Sequence, residues 1–559
     1  MMTHVCTFAR GFGNFRAYSA AIERGDLDFW LHLGDYIYEY GEDHYPDPSE
    51  TVVPGIQPSK DVVTLQEYRQ RHAHYRLDPH LQKLAASAPM IAVWDDHEVA
   101  NDDFKEGAEN HHPQQGPFQA RKVAAIRAYH EWLPTRVSLD LADPSAAPWM
   151  RWRRFDFGSL ATLLMLETRL VARTTQAEMT SQTVRANITK VLNGAWALSP
   201  SAWPGGRIES KMLKIRGEVE AHRNKTEKTM LGEDQLAWIS QQVPSKGRWF
   251  LLGQPQVVQE LMSPNFLGAI EDTRRGGDDA LAEYWAAIVH NLTKLGFLYR
   301  NFTQVAAGAL PVPRELRNSF LVDLAAGRFR IQLNFDSWTG YVAERQRLAE
   351  ALRPAQGAII YGGDSHNAWA GKLRAEDGSV VAMDFDGMAV TSPGVESERP
   401  FLPPSLEATA WRSSNPDLAW ADTSKRGFMM VHLDADSHHI EYLAVDVASA
   451  SEGVGKDTSC LAAFDVEHGL GNSELRVSTC RPPQTRSATE TVAQTDSATA
   501  ATVPLVLALL TCCLGWLMGW CLGRRRLWKS EKEKGAQRYA QHVDEAEHVP
   551  PQRMGIELR

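Results

Sequence analysis

At 559 residues, with 43% apolar and 23% charged residues, the chain is too long for one small core and long enough for a large catalytic domain with appendages. Its net charge of −10, with no long basic patch before residue 520, leaves nucleic-acid binding unsupported. The six cysteines form no disulfide framework: Cys460 and Cys480 could pair, while Cys6 has no obvious partner and stands as a candidate metal ligand.

In chain order, Val5–Cys6 reads as a strand end, and 12–23 as a helix with Phe15, Tyr18 and Ile22 on one face. A short buried strand follows from about Leu27 to Leu33. It breaks at Gly34 and presents Asp35, with Tyr38 three residues on. Strand, Gly, Asp is the layout of an open α/β site, where ligands bind beyond the carboxyl ends of strands. Residues 41–62 read as a loop, and Leu65–Tyr75 as a basic, aromatic helix with Arg69, followed by Arg76. A second short strand, Met90–Trp94, ends in Asp95-Asp96-His97-Glu98, with Asn101 and Asp102 close behind. Such acidic density is costly unless a cation offsets the repulsion.

Phe118–Leu133 is a helix containing Arg121, stopped by Pro134. Two strands within 150–168 end in Glu167-Thr168-Arg169, and 170–229 shows no clear pattern. Helices are expected from Gly232 to about Val243, from Asp279 to Phe297, and after the Asn334–Tyr341 segment as far as Pro354. A strand at Trp249–Leu252 ends in Gly253-Gln254-Pro255-Gln256, and one at Ala358–Tyr361 ends in Gly363-Asp364-Ser365-His366. Further strands at 379–385, 426–433 and 438–446 close a layered α/β domain. Three strand ends that carry metal-ligand residue types are hard to explain as three independent turns or caps.

Beyond residue 450 the composition shifts. We expect an extension over 451–480, a Ser/Thr-rich stalk over 481–502, a membrane-spanning helix over 503–523 and a charged cytoplasmic tail over 524–559. Arg524, Arg525 and Arg526 follow the apolar run and set a single-pass type I orientation, with residues 1–502 extracellular or lumenal. Sequons at Asn187, Asn224, Asn291 and Asn301 agree with that placement. Met1–Arg10 is not a signal peptide, so the N-terminus reads as incomplete.

These motifs, in this order, resemble the PhoD-type alkaline phosphatase/phosphodiesterase branch of the metallophosphoesterases. The matching pieces are the Cys6 strand, Leu-Gly-Asp-Tyr-Ile-Tyr-Glu at 33–39, Trp-Asp-Asp-His-Glu-Val-Ala-Asn at 94–101, Tyr-His-Glu-Trp-Leu-Pro-Thr-Arg at 129–136, Asp336 to Arg345, and Gly-Asp-Ser-His at 363–366. The resemblance covers roughly residues 4–450 and implies a four-layer α/β/β/α catalytic domain with a ferric ion and calcium. By resemblance, Cys6, Asp35 and Tyr38 would ligate iron, and Asp35 would also touch a second metal. Asp96 takes the ligand place in the second motif, with Asp95 beside it, and Asp364 and His366 fill the last. His97 and Asn101 would face the phosphate, and Arg69, Arg76 and Arg121 are candidates for anchoring substrate. The chain departs from the family pattern in lacking an N-terminal β-sandwich domain, and in having Glu167 and Asp102 where Asp and Asn are more usual. The implied chemistry is metal-assisted hydrolysis of phosphate esters. Its rivals are a lipid-headgroup or nucleotide diesterase using the same motifs, and a non-enzymatic surface glycoprotein that kept the fold.

Overall fold

The computed structural model describes residues 2–4, 14–42, 55–133, 135, 152–193, 205–243, 249–294, 314–355, 358–446, 458–468 and 475–483, apart from 26 and 177. All of these belong to one compact unit, Met1–Gln484. Its first sheet is built from β1 (Met2–His4), β2 (Trp30–Leu33), β3 (Met90–Val93), β11 (Gly427–Leu433), β12 (Ser437–Val445), β13 (Thr458–Glu467) and β14 (Arg476–Ser478), in the order β14-β13-β12-β11-β1-β2-β3. Here β1, β2 and β3 run parallel, Leu31 opposite Ile91, and the rest pair antiparallel. The second sheet holds β4 (Arg153–Phe157), β5 (Ala161–Met165), β6 (Trp249–Gly253), β7 (Ala358–Gly362), β8 (Ala368–Arg374), β9 (Val380–Asp386) and β10 (Leu418–Asp422), in the order β10-β8-β9-β7-β6-β5-β4. Its centre, β5-β6-β7-β9, is parallel.

Alternation along the strands explains the layering, because successive side chains point to opposite faces. In β2, Leu31 and Leu33 enter the seam between the sheets, while Trp30 packs outward under helices. In β6, Trp249 and Leu251 enter the same seam and Phe250 and Leu252 face the other way. The same holds in β7 for Ile359 and Tyr361 against Ala358 and Ile360. With both faces covered, these strands read as unbroken apolar runs. Each large side chain in the seam contributes about 1.5–3 kcal/mol by burial.

Helices α1 (Arg16–Arg24), α2 (Leu65–Tyr75), α3 (Pro79–Ser87) and α4 (Phe118–Trp132) cover the first sheet through Tyr18, Tyr68, Leu84 and Ile126. Thr64 and Glu67 form a reciprocal cap at the start of α2, and Asp78 caps α3 ahead of Pro79. Residues 170–229, without clear pattern in sequence, hold α5 (Ser181–Leu192) and α6 (Gly206–Arg223). The second sheet is covered by α7 (Gly232–Gln242) and by the helix at Val342–Leu352, through Ile239 and Leu348. Between them in sequence come α8 (Phe266–Arg275), α9 (Asp279–Lys294) and α10 (Arg314–Phe329), so the Val342–Leu352 helix is α11. Together with α12 (Val395–Glu398) and α13 (Pro404–Ser414) these complete the helices named here. Helices α5, α6, α8, α9, α10 and α13 share a separate apolar cluster centred on Phe266, Phe320 and Leu406.

Cys460 and Cys480 form a disulfide that ties β13 to the segment after β14. The expectation of a C-terminal transmembrane helix, and with it a single-pass type I placement, is corrected. Among the described residues no helix is long and apolar enough to cross a membrane. Residues 503–523, on which the expectation rested, lie outside the described residues, as do the stalk and the tail.

Candidate metal centre and active-site cavity

The carboxyl ends of β2 and β3 in one sheet, and of β5, β6 and β7 in the other, open onto the same cavity of about 910 Å³. The turn after β2 depends on Gly34 at φ +113°, where an added Cβ would sit 2.5 Å from the Asp95 side chain. Only glycine lets these two loops approach so closely. Beyond it, Asp35, Asp364 and His366 adopt positive φ values of 54°, 59° and 61°, and Asp102 one of 51°. Non-glycine residues enter this region at a cost, and such strain gathers at functional sites.

Glu98 fixes the two loops of the first sheet to each other. Its carboxylate accepts the backbone N–H of Asp35 (3.0 Å), Ile37 (3.3 Å) and Asp95 (2.6 Å), and also that of Tyr36. Glu39 does the same for the next turn, accepting from Asn101 N (2.8 Å), Asn110 Nδ2 (2.9 Å) and His97 Nδ1 (2.7 Å). Burial opposes charge on His97, but Glu39, Asp96 and Asp35 outweigh it and hold the ring protonated well above the usual histidine range. Its Nδ1 is committed to Glu39, which leaves Nε2 to serve the cavity.

Tyr38 Oη lies 2.9 Å from both Asp35 Oδ2 and His366 Nε2, and its ring stacks on His97 at 4.1 Å. His366 Nδ1 lies 2.6 Å from Pro393 O, which fixes its proton there and turns the Nε2 lone pair toward Tyr38. Burial lowers the His366 pKa to about 4, so the ring is neutral. Such a carbonyl-oriented neutral imidazole is the usual preparation of a metal-binding histidine. Three groups of donors, each with atoms within 4.8 Å of one another, meet here: Asp35, Asp96 and His97; Asp95, Asp96 and Asp364; Asp96, Asp102 and Asp336. Asp96 belongs to all three.

The second sheet contributes the counter-charge. Arg169, fully buried at the end of β5, donates through Nε to Asp95 and through Nη1 to Asp336 (2.8 Å), with Asp96 at 3.5 Å and Asp364 at 3.7 Å. Burial opposes ionisation of Asp96, but Arg169 and His97 prevail and hold its pKa down to about 2. Burial pushes Asp95 up to about 8 despite Arg169, with Asp96 and Asp35 adding to the rise. Burial and the charge of Asp95 push Asp364 well above the carboxylate range. Gln256, after β6, donates to Asp95 Oδ1 at 2.5 Å. Arg173 pairs with Asp336 and lines the cavity, and its Nη1 has no hydrogen-bond partner.

The structure thus brings together Asp35, Tyr38, Asp95, Asp96, His97, Asp364 and His366, and places Asn101 on the cavity wall with its amide bound to Glu109 (2.8 Å). It does not bring Arg69, Arg76 or Arg121 there. Arg69 pairs with Glu131 on the surface, Arg76 donates to Tyr36 Oη, and the buried Arg121 is spent on Val62 O, Asn110 O and Tyr68 Oη. These arginines tie helices and loops together, so their positive charge is unavailable to a substrate. Cys6 and Asn301 lie outside the described residues, as does the side chain of Asn291; Asn224 is exposed and Asn187 half-buried. Arg169, Arg173, Gln256 and Asp336 are the site residues the sequence did not single out. In sequence Arg169 and Gln256 stand only as strand-end residues and Asp336 only as the start of a matching segment, and none carries an assigned role.

Layered sheets with buried acidic and histidine donors at their parallel strand ends define an α/β protein whose donor groups could hold a metal ion. The family model of PhoD-like phosphatases matches residues 1–442, and the chain belongs to that family. It is 26% identical over 393 residues to Alkaline phosphatase D of Bacillus subtilis (strain 168), a match covering 68% of this chain and 49% of that protein. The chain therefore spans about half the length of this curated relative. A solved structure described as that of PhoD shares the fold, with a TM-score of 0.56 at 20% identity over 86% of this chain and 72% of that one. A purple acid phosphatase from yellow lupin seeds aligns at a TM-score of 0.33 and 11% identity, over 84% and 53% of the two chains.

Proposed function

We propose that this chain hydrolyses phosphate esters at a metal centre on the strand ends. The observation that carries the reading is the convergence of Asp35, Asp96, Asp364 and His366 from two sheets around one cavity wall. The donor set fits metal ions. Asp95 Oδ2 and Asp96 Oδ1 are buried without a hydrogen-bond donor, and His366 presents a neutral nitrogen. Asp35, Tyr38 and His366 would hold one ion, and Asp96 with Asp95, Asp364 or Asp336 another. The phenolate and carboxylate oxygens suit a hard ion such as Fe(III), and the all-carboxylate groups suit Ca(II). When bound, such ions polarise phosphoryl oxygens and lower the pKa of water.

The chain's own residues supply the rest. His97 offers an Nε2–H toward an anionic substrate, to bind a phosphoryl oxygen or protonate the leaving oxygen. Glu39 keeps that proton in place by holding Nδ1. Arg173 lines the cavity, has a buried Nη1 without a hydrogen-bond partner, and would anchor the phosphoryl group. Arg169 and Gln256 hold Asp95, and Glu98 holds both loops, so the geometry is set before substrate arrives.

The test is turnover of a phosphate monoester and a diester by the full chain, with and without chelator, alongside its metal content. Chelator-sensitive turnover that disappears in Asp364→Asn supports the reading. A folded, metal-loaded protein that cleaves neither ester refutes it.

A further inference from the structure

Resting on that reading, we infer that the preferred substrate is a phosphate ester whose organic group is uncharged and presents a planar apolar face to a wall built by Val257, Leu261, Trp369 and Trp411. The first observation is size. A cavity of about 910 Å³ matches the volume of pockets that enclose a drug-sized molecule, far more than a phosphoryl group alone requires.

The second observation is what faces that space. Val257, Leu261 and Trp369 belong to one apolar cluster, and Trp411 packs against it. All four also line the cavity. The indoles of Trp369 and Trp411 lie 5.3 Å apart at 60°. Each indole N–H is satisfied away from the ring face, Trp369 by Ser365 Oγ at 2.6 Å and Trp411 by Glu407 at 3.0 Å. Ser365 stands between Asp364 and His366, so the aromatic wall begins one hydrogen bond from the metal-ligand turn. A phosphoryl group held at that turn would, on this inference, direct its ester substituent toward the wall. Val257 and Trp369 are 1% exposed and Leu261 8%, so the half-buried Trp411 carries most of the wall's open face.

The third observation is charge. Apart from Arg173 at the centre, the cavity's arginines are Arg185 and Arg399, and both are already paired. Arg185 meets Asp323 at 2.8 Å, and Arg399 meets Glu407 at 2.8 Å and Asp323 at 3.2 Å. No lysine lines the cavity among the described residues. The rest of the lining is polar, with Thr174, Gln176, Thr180 and Gln182 beside the carboxylates of Glu109 and Glu398. A second anionic group on the substrate would find no uncommitted cation, and its desolvation would go uncompensated.

The experiment compares kcat/KM of the full chain for benzyl, ethyl and 4-carboxybenzyl phosphate, and for their methyl diesters. The parent alcohols differ little in acidity, so the comparison isolates the organic group. We expect the benzyl ester to exceed the ethyl ester by about 10- to 200-fold, and the carboxylate to remove most of that gain. In Trp411→Ala the benzyl-to-ethyl ratio should fall toward one, and in Trp411→Phe it should be largely restored. Equal kcat/KM for the benzyl and ethyl esters in the unaltered protein, or a ratio that Trp411→Ala leaves unchanged, overturns the inference while leaving ester hydrolysis standing. Failure to cleave any of the esters in metal-loaded protein overturns the phosphoester reading itself, and this inference with it.

Discussion

The two sheets build the site in different ways. The first supplies it from two short, continuous stretches, Gly34–Glu39 and Asp95–Glu98, in which ligands and the groups that orient them are sequence neighbours. The second supplies single residues from separate loops: Arg169 and Arg173 after β5, Gln256 after β6, Asp336 before α11, and Asp364 and His366 after β7. One side concentrates negative charge, and the other contributes the guanidinium that makes this density tolerable. The first side is a local motif, and the second exists only when distant segments meet.

The sharpest way to break this contrast is to disarm each side in turn. Asp35→Asn should lower kcat by about 10³-fold or more and reduce metal content while the thermal transition persists; full activity would remove Asp35 from the centre. Arg169→Met should act mainly on the fold. It leaves Asp95, Asp96, Asp336 and Asp364 without their shared partner, and breaking a buried pair costs about 3–5 kcal/mol. Metal-free protein should show the loss in chemical denaturation, and an unchanged midpoint would mean that the carboxylates do not depend on the arginine.

Arg173→Met, four residues further on, tests whether the second side also touches substrate. We expect about a 10²-fold loss in kcat/KM with metal content retained. Parallel loss of metal would make Arg173 a support for Asp336 instead.

The smallest effect is expected where the second side has spread its charge outward. Lys228 lies over the Tyr341 ring at 4.8 Å and donates to Gln176 at 2.5 Å, while Arg173 lies over the same ring at 5.0 Å. Burial, with Arg173 adding to it, lowers the Lys228 pKa to about 7. Below that pH the lysine is charged in folded and unfolded chains alike. Between about 7 and the ordinary lysine range near 10.4 the unfolded chain binds the extra proton, so stability rises with pH there. Lys228→Met should flatten that rise by a few degrees in Tm, measured across the same window. A rise that persists in the variant would place its origin elsewhere.

The contrast also explains what the sequence disclosed. Asp35, the Asp95–Glu98 turn and the Asp364–His366 turn were legible because each follows a short apolar run and a change of direction. Glu39 and Glu98 were visible only as members of acidic strings; that one holds His97 and the other holds two loops requires knowing which backbone N–H groups converge on them. Arg169 and Asp336 are 167 residues apart, and no local pattern announces such a pair. Arg69, Arg76 and Arg121 misled because a basic segment looks alike whether its guanidiniums face a ligand or are spent on a carboxylate, a hydroxyl and carbonyls within the protein. The helices of 170–229 escaped because their apolar contacts, such as Ile188 and Met212, join a helical cluster away from the sheets.

The left-handed backbone at residues 35, 364 and 366 has a consequence for how such a lineage could decay. Glycine and asparagine occupy these conformations most readily, whereas a β-branched residue there would disturb the turn itself. Asparagine or glycine at 35 and 364 would therefore silence the centre and leave the scaffold standing. A descendant that has lost its chemistry but kept its fold should carry that signature, and its retirement would be readable from two codons.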